Sequence, residues 1–344
     1  SMRMLVTGGA GFVGTNLIER LLKDEHKVVS VDNYSTGKKE NHQKGCRYND
    51  YDISSEHTLG IYVDHATYPV WRDEEFDIIF HLASKARIIP SIQNPLKTLN
   101  NNINSTINIL EYARKNNTPV VYAGSSSAHG DVHANPYTFT KWNGEELCKL
   151  YHSVYNLPTT ICRFYNVYGE GQLTEGAYCT VLGVFEKQFN NGEPLTITSD
   201  GEQRRDFTHV GDIVDGLVRC GDALLEGGNS VIRGETFELG NGKNYSINEL
   251  AEAFGDYPRE YIPKRPGEVR ESLNTDTKAK EVLGWIPKGD IIEYIKDNYT
   301  REIKWVCELC GKDTSEIDYD YIGSGTNHLG CELELEMKDK VNEK

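Results

Sequence analysis

Three features predict an α/β fold. Strand-like and helix-like segments alternate to about residue 170, a glycine-rich turn joins the first strand to the first helix, and an aspartate closes the second strand. The class they point to is a Rossmann-type doubly wound parallel sheet, followed by a smaller C-terminal lobe and a short Cys/His tail module.

The elements follow in order. Met4 to Thr7 is an apolar strand, and the stretch from about Phe12 to Lys23 repeats its apolar residues at helical spacing. Val28 to Val31 is the second strand and completes a βαβ unit. "DIIFHLA" (77–83) and "PVVYAGS" (119–125) are further strands, separated by the helical "TLNNNINSTINILEYARKNN", and another helix begins near Tyr137. Such alternation implies a parallel sheet covered on both faces. Beyond residue 170 the chain breaks into Gly-, Asn- and Pro-rich pieces, with helices expected at 179–191, 210–226, 246–254 and 289–299. The expected divisions are 2–170 with later segments returning to it, 171–300, and 301–344.

Composition narrows the partners. The chain carries 37 Lys and Arg against 52 Asp and Glu, a net charge of -15, with no dense basic run. That field repels phosphate backbones, so neither nucleic acid nor a membrane surface is an expected partner. With 38% hydrophobic residues the 344-residue chain can bury a substantial core, and no apolar run reaches membrane-spanning length. The first residues run straight into a strand, so a cytoplasmic location is expected. Cys46, Cys148, Cys162, Cys179 and Cys220 lack short spacings and read as reduced, packed thiols.

In "TGGAGFVG" (7–14), Gly9, Gly11 and Gly14 satisfy G-x-G-x-x-G, while Gly8, Gly11 and Gly14 satisfy the G-x-x-G-x-x-G variant. Glycines let backbone approach a pyrophosphate, and the helix opened by Phe12 and Val13 aims free N–H groups at it. Asp32 lies eighteen residues after Gly14, with Asn33 beside it, where a carboxylate can accept hydrogen bonds from an adenosine ribose. Its charge would repel a 2′-phosphate, so NAD is the expected cofactor. Lys38 and Lys39 read as solvated loop charges. A tight turn without a ligand is the plain alternative.

Tyr137 and Lys141 are four apart on a helix and share a face. A buried ammonium beside a phenol favours the phenolate and would lower its pKa towards neutrality, making the tyrosine a base for a hydroxyl proton. The pair gains meaning from its place after a strand that ends in serines, downstream of a nucleotide turn. A serine there supplies a second hydrogen bond to the reacting oxygen while hydride moves to or from a nicotinamide.

Together these residues resemble the extended short-chain dehydrogenase/reductase family, in its nucleotide-sugar epimerase/dehydratase branch, and most of all the UDP-glucose and UDP-N-acetylglucosamine 4-epimerases. The resemblance runs through "TGGAGFVG", "VDNYSTGKKEN", "DIIFHLAS", "LNNNINSTINILEYAR", "SSSA", "YTFTK", "RFYNVYG", "DGEQRRDFTHVGD" and "NTDTKAKEVLGW", to about residue 299. It implies Tyr137 as base, Lys141 as its partner at the nicotinamide ribose, and Ser127 as partner of the substrate hydroxyl. Ser126 is a rival, because "SSSAHG" is one residue shorter than the usual "SSSAVYG". The resemblance also implies Asp52 and Ile53 at the adenine, Ala83 and Lys85 along the cofactor, and Asn102 near its nicotinamide end. Asn166, Arg205 and Arg265 would hold the diphosphate of a UDP-sugar. On this reading 2–170 binds NAD and 171–300 mainly binds the UDP-sugar. A homodimer is implied too, pairing the helices around 100–115 and from Tyr137 onward through Ile103, Ile107, Leu110, Leu147 and Leu150.

Ala128 stands where related dehydratases and decarboxylases carry acidic residues, and only nine residues separate Ser127 from Tyr137. Oxidation at C4, rotation of the keto sugar and re-reduction need only Ser, Tyr and NAD, so C4 epimerisation is the expected reaction. His129 could replace the missing acid and otherwise is a loop residue. Ser272, seven residues after Arg265, is small where a large aromatic is associated with rejecting N-acetyl groups. UDP-GlcNAc and UDP-GalNAc are therefore expected substrates, alongside UDP-glucose and UDP-galactose. A reductase, a 2-epimerase and a decarboxylase are alternatives from the same keto intermediate. An NAD-binding sensor or scaffold is the non-enzyme alternative, against which the Ser-Tyr-Lys set argues.

The tail lies beyond the resemblance. "CELCGK" (307–312) and "HLGC" (328–331) offer Cys307, Cys310, His328 and Cys331 with a seventeen-residue gap, a spacing that fits a structural zinc site. The alternatives are an acidic disordered tail or a redox pair.

Overall fold

The computed structural model describes residues 1–55, 74–227, 231–265 and 269–299. In chain order the first half contains β1 (Arg3–Thr7), α1 (Phe12–Lys23), β2 (Lys27–Asp32), β3 (Cys46–Asp50), β4 (Ile78–His81), α2 (Ile88–Gln93), α3 (Pro95–Asn116), β5 (Val120–Ser125), α4 (Pro136–Tyr155) and β6 (Thr159–Phe164). There follow β7 (Asn166–Tyr168), α5 (Val181–Asn190), β8 (Leu195–Thr198), β9 (Arg204–His209), α6 (Val210–Leu225) and β10 (Thr236–Leu239). The last are β11 (Asn244–Ser246), α7 (Ile247–Glu252), β12 (Arg259–Ile262), α8 (Lys278–Leu283) and α9 (Ile291–Asn298).

Seven strands form one sheet in the order β10-β6-β5-β4-β1-β2-β3, every pairing parallel. In β1, β2, β4 and β5 both faces are buried, so burial runs through successive positions rather than alternate ones, whereas the edge strand β3 has no buried residue. In β1, Met4 and Val6 pack on one face with Leu17 and Ile18 of α1 and Leu217 of α6. Leu5 points to the other face, into a cluster with Ile109 and Leu110 of α3 and Cys148 of α4. Each such side chain contributes roughly 1.5–3 kcal/mol by burial. The strand order reverses between β1 and β4, the crevice where parallel sheets bind ligands.

β10 joins the edge of this sheet through β6, which ties the later half of the chain to the earlier one. The remaining strands make a three-stranded sheet, β11-β9-β7, and a two-stranded one, β12-β8. The described residues up to Ile295 form one compact unit. The proposed zinc ligands Cys307, Cys310, His328 and Cys331 lie outside the described residues. Among the described residues no cluster of three or more His, Cys, Asp or Glu could hold a metal, and no helix is long and apolar enough to cross a membrane.

Candidate active site

A cavity of about 1480 Å³ opens at the carboxyl ends of the sheet strands, and the glycine turn forms one of its walls. Gly8 has φ +71°, and a Cβ on Gly14 would lie 2.2 Å from the Gly8 carbonyl oxygen, so the first turn of α1 packs directly on the loop. On Gly11 a Cβ would meet only that same oxygen, at 3.3 Å, and this glycine borders the cavity. Gly9 faces the other way, where a Cβ would strike Ser30 Oγ at 2.2 Å. The cavity therefore uses the Gly8, Gly11, Gly14 register. Gly11 caps α1 without a side-chain hydrogen bond, and Phe12 and Val13 line the cavity at this uncapped N-terminus.

Asp32 ends β2 beside the turn. Its carboxylate accepts from the N–H of Ala10 at 3.0 Å and of Tyr34 at 2.7 Å. Burial pushes its pKa up while the two N–H groups pull it down. Asn33, Asp52, Ile53 and Ala83 complete this wall. The Ile53 carbonyl accepts from Asn108 Nδ2 at 2.7 Å, which fixes the loop after β3 against α3.

Beneath Ala83 lies a support that sequence reading missed. Thr7 Oγ1 accepts from the N–H groups of Leu82 and Ala83, each at 3.0 Å, so its own proton goes to His81 Nδ1 at 2.7 Å. The ring proton of His81 therefore sits on Nε2 and is donated to Thr106 Oγ1 at 3.0 Å. Burial, helped by the Lys141 charge, pulls the His81 pKa down to about 3 and keeps the ring neutral. Lys85 and Asn102, expected along the cofactor, do not line the cavity. Asn102 Oδ1 accepts from the Lys85 N–H at 2.7 Å, and its amide nitrogen donates to Lys85 O at 3.1 Å and Thr140 Oγ1 at 3.0 Å. Asn102 thus pins the loop after β4 to α4.

Helix α4 presents Tyr137 in its first turn because Asn135 caps it, accepting from the Thr138 N–H at 2.8 Å, and Pro136 occupies the first helical position. The Tyr137 N–H donates to Ser91 Oγ at 3.1 Å, tying α2 to α4. The hydroxyl that meets the Tyr137 phenol belongs to Ser125, the last residue of β5. This differs from the expectation of Ser127 or Ser126. Ser126 and Ser127 border the same cavity from a 3-10 turn over Ser126–His129, with Ser127 Oγ 2.8 Å from Ser125 Oγ. The available signal was position: Ser125 ends the apolar strand and its neighbours have already left it.

Lys141 also departs from expectation. Its ammonium donates to the Ala123 carbonyl and sits 4.9 Å from the centre of the Tyr122 ring. Burial pulls its pKa down to about 8, opposed by Glu145. The expected fall in the Tyr137 pKa does not occur here. Burial raises it, against the Ser125 hydrogen bond and the Arg87 charge, which lower it.

A buried ion cluster underlies β5 and β6. Glu145 is fully buried and accepts from Arg163 Nε at 3.0 Å and Nη2 at 2.8 Å. Arg163 Nη1 donates to Glu238 Oε1 at 3.0 Å, and His129 Nε2 meets the same oxygen. His129 is therefore engaged in closing the shortened loop onto β10.

At the far end, Asn166, Arg205, Arg265 and Ser272 all border the cavity with Ser125 and Tyr137. Asp206, unremarked in the sequence, organises them. Its buried carboxylate accepts from the N–H groups of Asn241 at 2.8 Å, Gly242 at 2.9 Å and Asn274 at 3.0 Å, and its own N–H donates to Ser272 Oγ at 3.2 Å. Two loop segments, 241–242 and 272–274, are gathered on this one residue of β9.

The sequence model of the NAD dependent epimerase/dehydratase family matches residues 4–240. The chain belongs to this family. Among its members, the UDP-glucose 4-epimerase of Mycolicibacterium smegmatis is 32% identical over 316 residues, covering 86% of this chain and 96% of that protein. UDP-glucuronic acid decarboxylase 6 of Arabidopsis thaliana is 31% identical over 317 residues, covering 85% and 86%. A crystal structure of UDP-glucuronic acid 4-epimerase from Bacillus cereus, in complex with UDP-glucuronic acid and NAD, superposes with a TM-score of 0.73 at 27% identity, covering 87% and 98%.

The family's dinucleotide fits the residues present. The uncapped α1 N-terminus and side-chain-free Gly11 leave room and donors for a pyrophosphate, and the Asp32 carboxylate borders the cavity where a ribose would lie. When bound, NAD supplies hydride acceptance and return.

Proposed function

We propose that this protein is an NAD-dependent 4-epimerase of UDP-hexoses, acting through a 4-keto sugar. The observation that carries the reading is the Ser125–Tyr137 hydroxyl pair in the cavity; Glu238, which also borders it, is engaged through Oε1 by Arg163 and His129, and by the resemblance Ala128 stands in sequence where an acid would be. Ser125 orients the C4 hydroxyl and Tyr137 takes its proton as hydride leaves C4. Lys141, charged below about pH 8, stabilises the phenolate once its ammonium turns from the Ala123 carbonyl. The keto sugar rotates about its diphosphate anchor, for which Asn166, Arg205 and Arg265 are the candidates, and Tyr137 returns the proton. By the resemblance, elimination and decarboxylation use an acid at the place where this chain has Ala128.

Half-buried Ser272 leaves space for an N-acetyl group, which supports UDP-GlcNAc and UDP-GalNAc among the substrates. The test is incubation with UDP-glucose, UDP-GlcNAc and UDP-glucuronate under catalytic NAD, followed by anomeric proton NMR. A C4 epimer at equilibrium without net NADH supports the reading, whereas a pentose product or stoichiometric NADH sinks it.

Two further proposals concern assembly. Leu150, Val154 and Tyr155 are exposed along α4, and we place a twofold partner there; a monomer mass in sedimentation at micromolar concentration would refute it. Cys307, Cys310, His328 and Cys331 are proposed as structural zinc ligands on spacing alone.

A further inference from the structure

Arg87 precedes α2 with φ +80° and ψ 137°, a backbone region that costs a non-glycine residue on the order of 1–3 kcal/mol. Glycine would adopt it freely, so a side chain is kept here in spite of strain. That side chain borders the cavity. Among the described residues, the groups that act on its charge are the Tyr137 phenol, the Arg265 guanidinium and the Cys179 thiol, none of them a carboxylate. Burial accordingly pulls the Arg87 pKa down, since its cation has lost water without gaining an anion. Arg87 is also the arginine whose charge acts on the Tyr137 phenol.

We propose that Arg87 determines specificity by binding a carboxylate carried on the sugar ring of the substrate, so that the cavity selects a hexuronate over a neutral hexose. The inference rests on the UDP-sugar reading above and ranks UDP-hexuronates ahead of the neutral UDP-hexoses and UDP-N-acetylhexosamines named there. A guanidinium fork matches a carboxylate with two parallel hydrogen bonds, and the group that meets Arg87 beside Tyr137 lies next to the reacting carbon. A neutral sugar would leave the half-buried cation unpaired, whereas the carboxylate satisfies it. The chain's net charge of -15 would by itself disfavour the more acidic ligand, so a preference for it must come from the site.

Calorimetry on the NAD-loaded protein tests this with UDP, UDP-glucose and UDP-glucuronate against wild type, Arg87→Gly and Arg87→Lys. The glycine variant suits the backbone and removes only the fork. Wild type should bind UDP-glucuronate on the order of 10- to 100-fold more tightly than UDP-glucose. Arg87→Gly should abolish that difference while leaving UDP affinity unchanged, and Arg87→Lys should keep part of it. Equal wild-type affinity for the two sugars would overturn the proposal. So would an equal loss for all three ligands in Arg87→Gly, which would assign the residue to the diphosphate. A wild-type protein that binds no uridine nucleotide would overturn the UDP-sugar reading along with it. Acid-selective binding with a pentose product would overturn 4-epimerisation and support the role of Arg87.

Discussion

At the dinucleotide end of the cavity, one turn of seven residues from Gly8 to Gly14 supplies backbone as the contact surface, and Asp32 follows on the neighbouring strand. At the sugar end, Arg87, Ser125, Tyr137, Asn166, Arg205 and Ser272 arrive from separate elements and are held by intermediaries such as Asp206 and Ser91. The first site needs glycine at particular places because any side chain would collide with the loop or fill the ligand's space. The second needs a correctly packed lobe before any of its groups face one another. A local site tolerates change elsewhere in the chain; a dispersed one is exposed to it.

The sharpest way to break this comparison is at the reacting hydroxyls. Tyr137→Phe should lower turnover by about 10³-fold while UDP-sugar and NAD affinity stay within about twofold. Ser125→Ala should cost on the order of 100-fold, well beyond Ser127→Ala or Ser126→Ala. Steady-state kinetics on the four variants would expose an error if Ser127→Ala were the worse of the serines.

At the dinucleotide end, Asp32→Ala should weaken NAD about tenfold and relax discrimination against NADP. Titration calorimetry showing unchanged NAD affinity would mean that the ribose carboxylate lies elsewhere. Because this site is local, sugar-end binding should hardly move.

The His81 support gives a smaller, pH-dependent effect. Its folded pKa of about 3 lies below its ordinary 6.5, so between those values the unfolded chain holds the extra proton. Its contribution to stability is full above pH 6.5 and is lost as the pH falls towards 3. Thermal melts from pH 7 to pH 4 should show a steeper decline for wild type than for His81→Gln, by a few degrees, at roughly 2–4 °C per kcal/mol. Parallel curves would remove His81 from this role.

The smallest effect on turnover is expected in the tail. Cys310→Ser should lose the zinc, near one per chain by metal analysis of protein purified without chelator, and leave epimerisation within about twofold. Zinc-free wild type would dismiss the site.

How much was legible follows the same division. The βαβ unit, the glycine turn, Asp32 and the four-residue spacing of Tyr137 and Lys141 were readable because each depends on neighbours within one or two elements. The helices expected at 210–226 and 289–299 appear at Val210–Leu225 and Ile291–Asn298, since apolar periodicity reports a buried face directly. The small β-sheets of the lobe were not foreseen, because β7, β8, β11 and β12 have only three or four residues each and the six-residue β9 (RRDFTH) has no apolar alternation.

What the sequence alone determined was therefore the family's fold, its dinucleotide turn and the chemical set Ser, Tyr, Lys. Tertiary structure decided which serine meets the phenol, that Lys141 points at β5, that Asn102 clamps a loop, and that Arg87 borders the same cavity as Tyr137. Residue type and spacing limit where a side chain can reach. Its chosen direction depends on burial and partners tens of residues away, and these exist only once the sheet and its lobe have closed around the cavity.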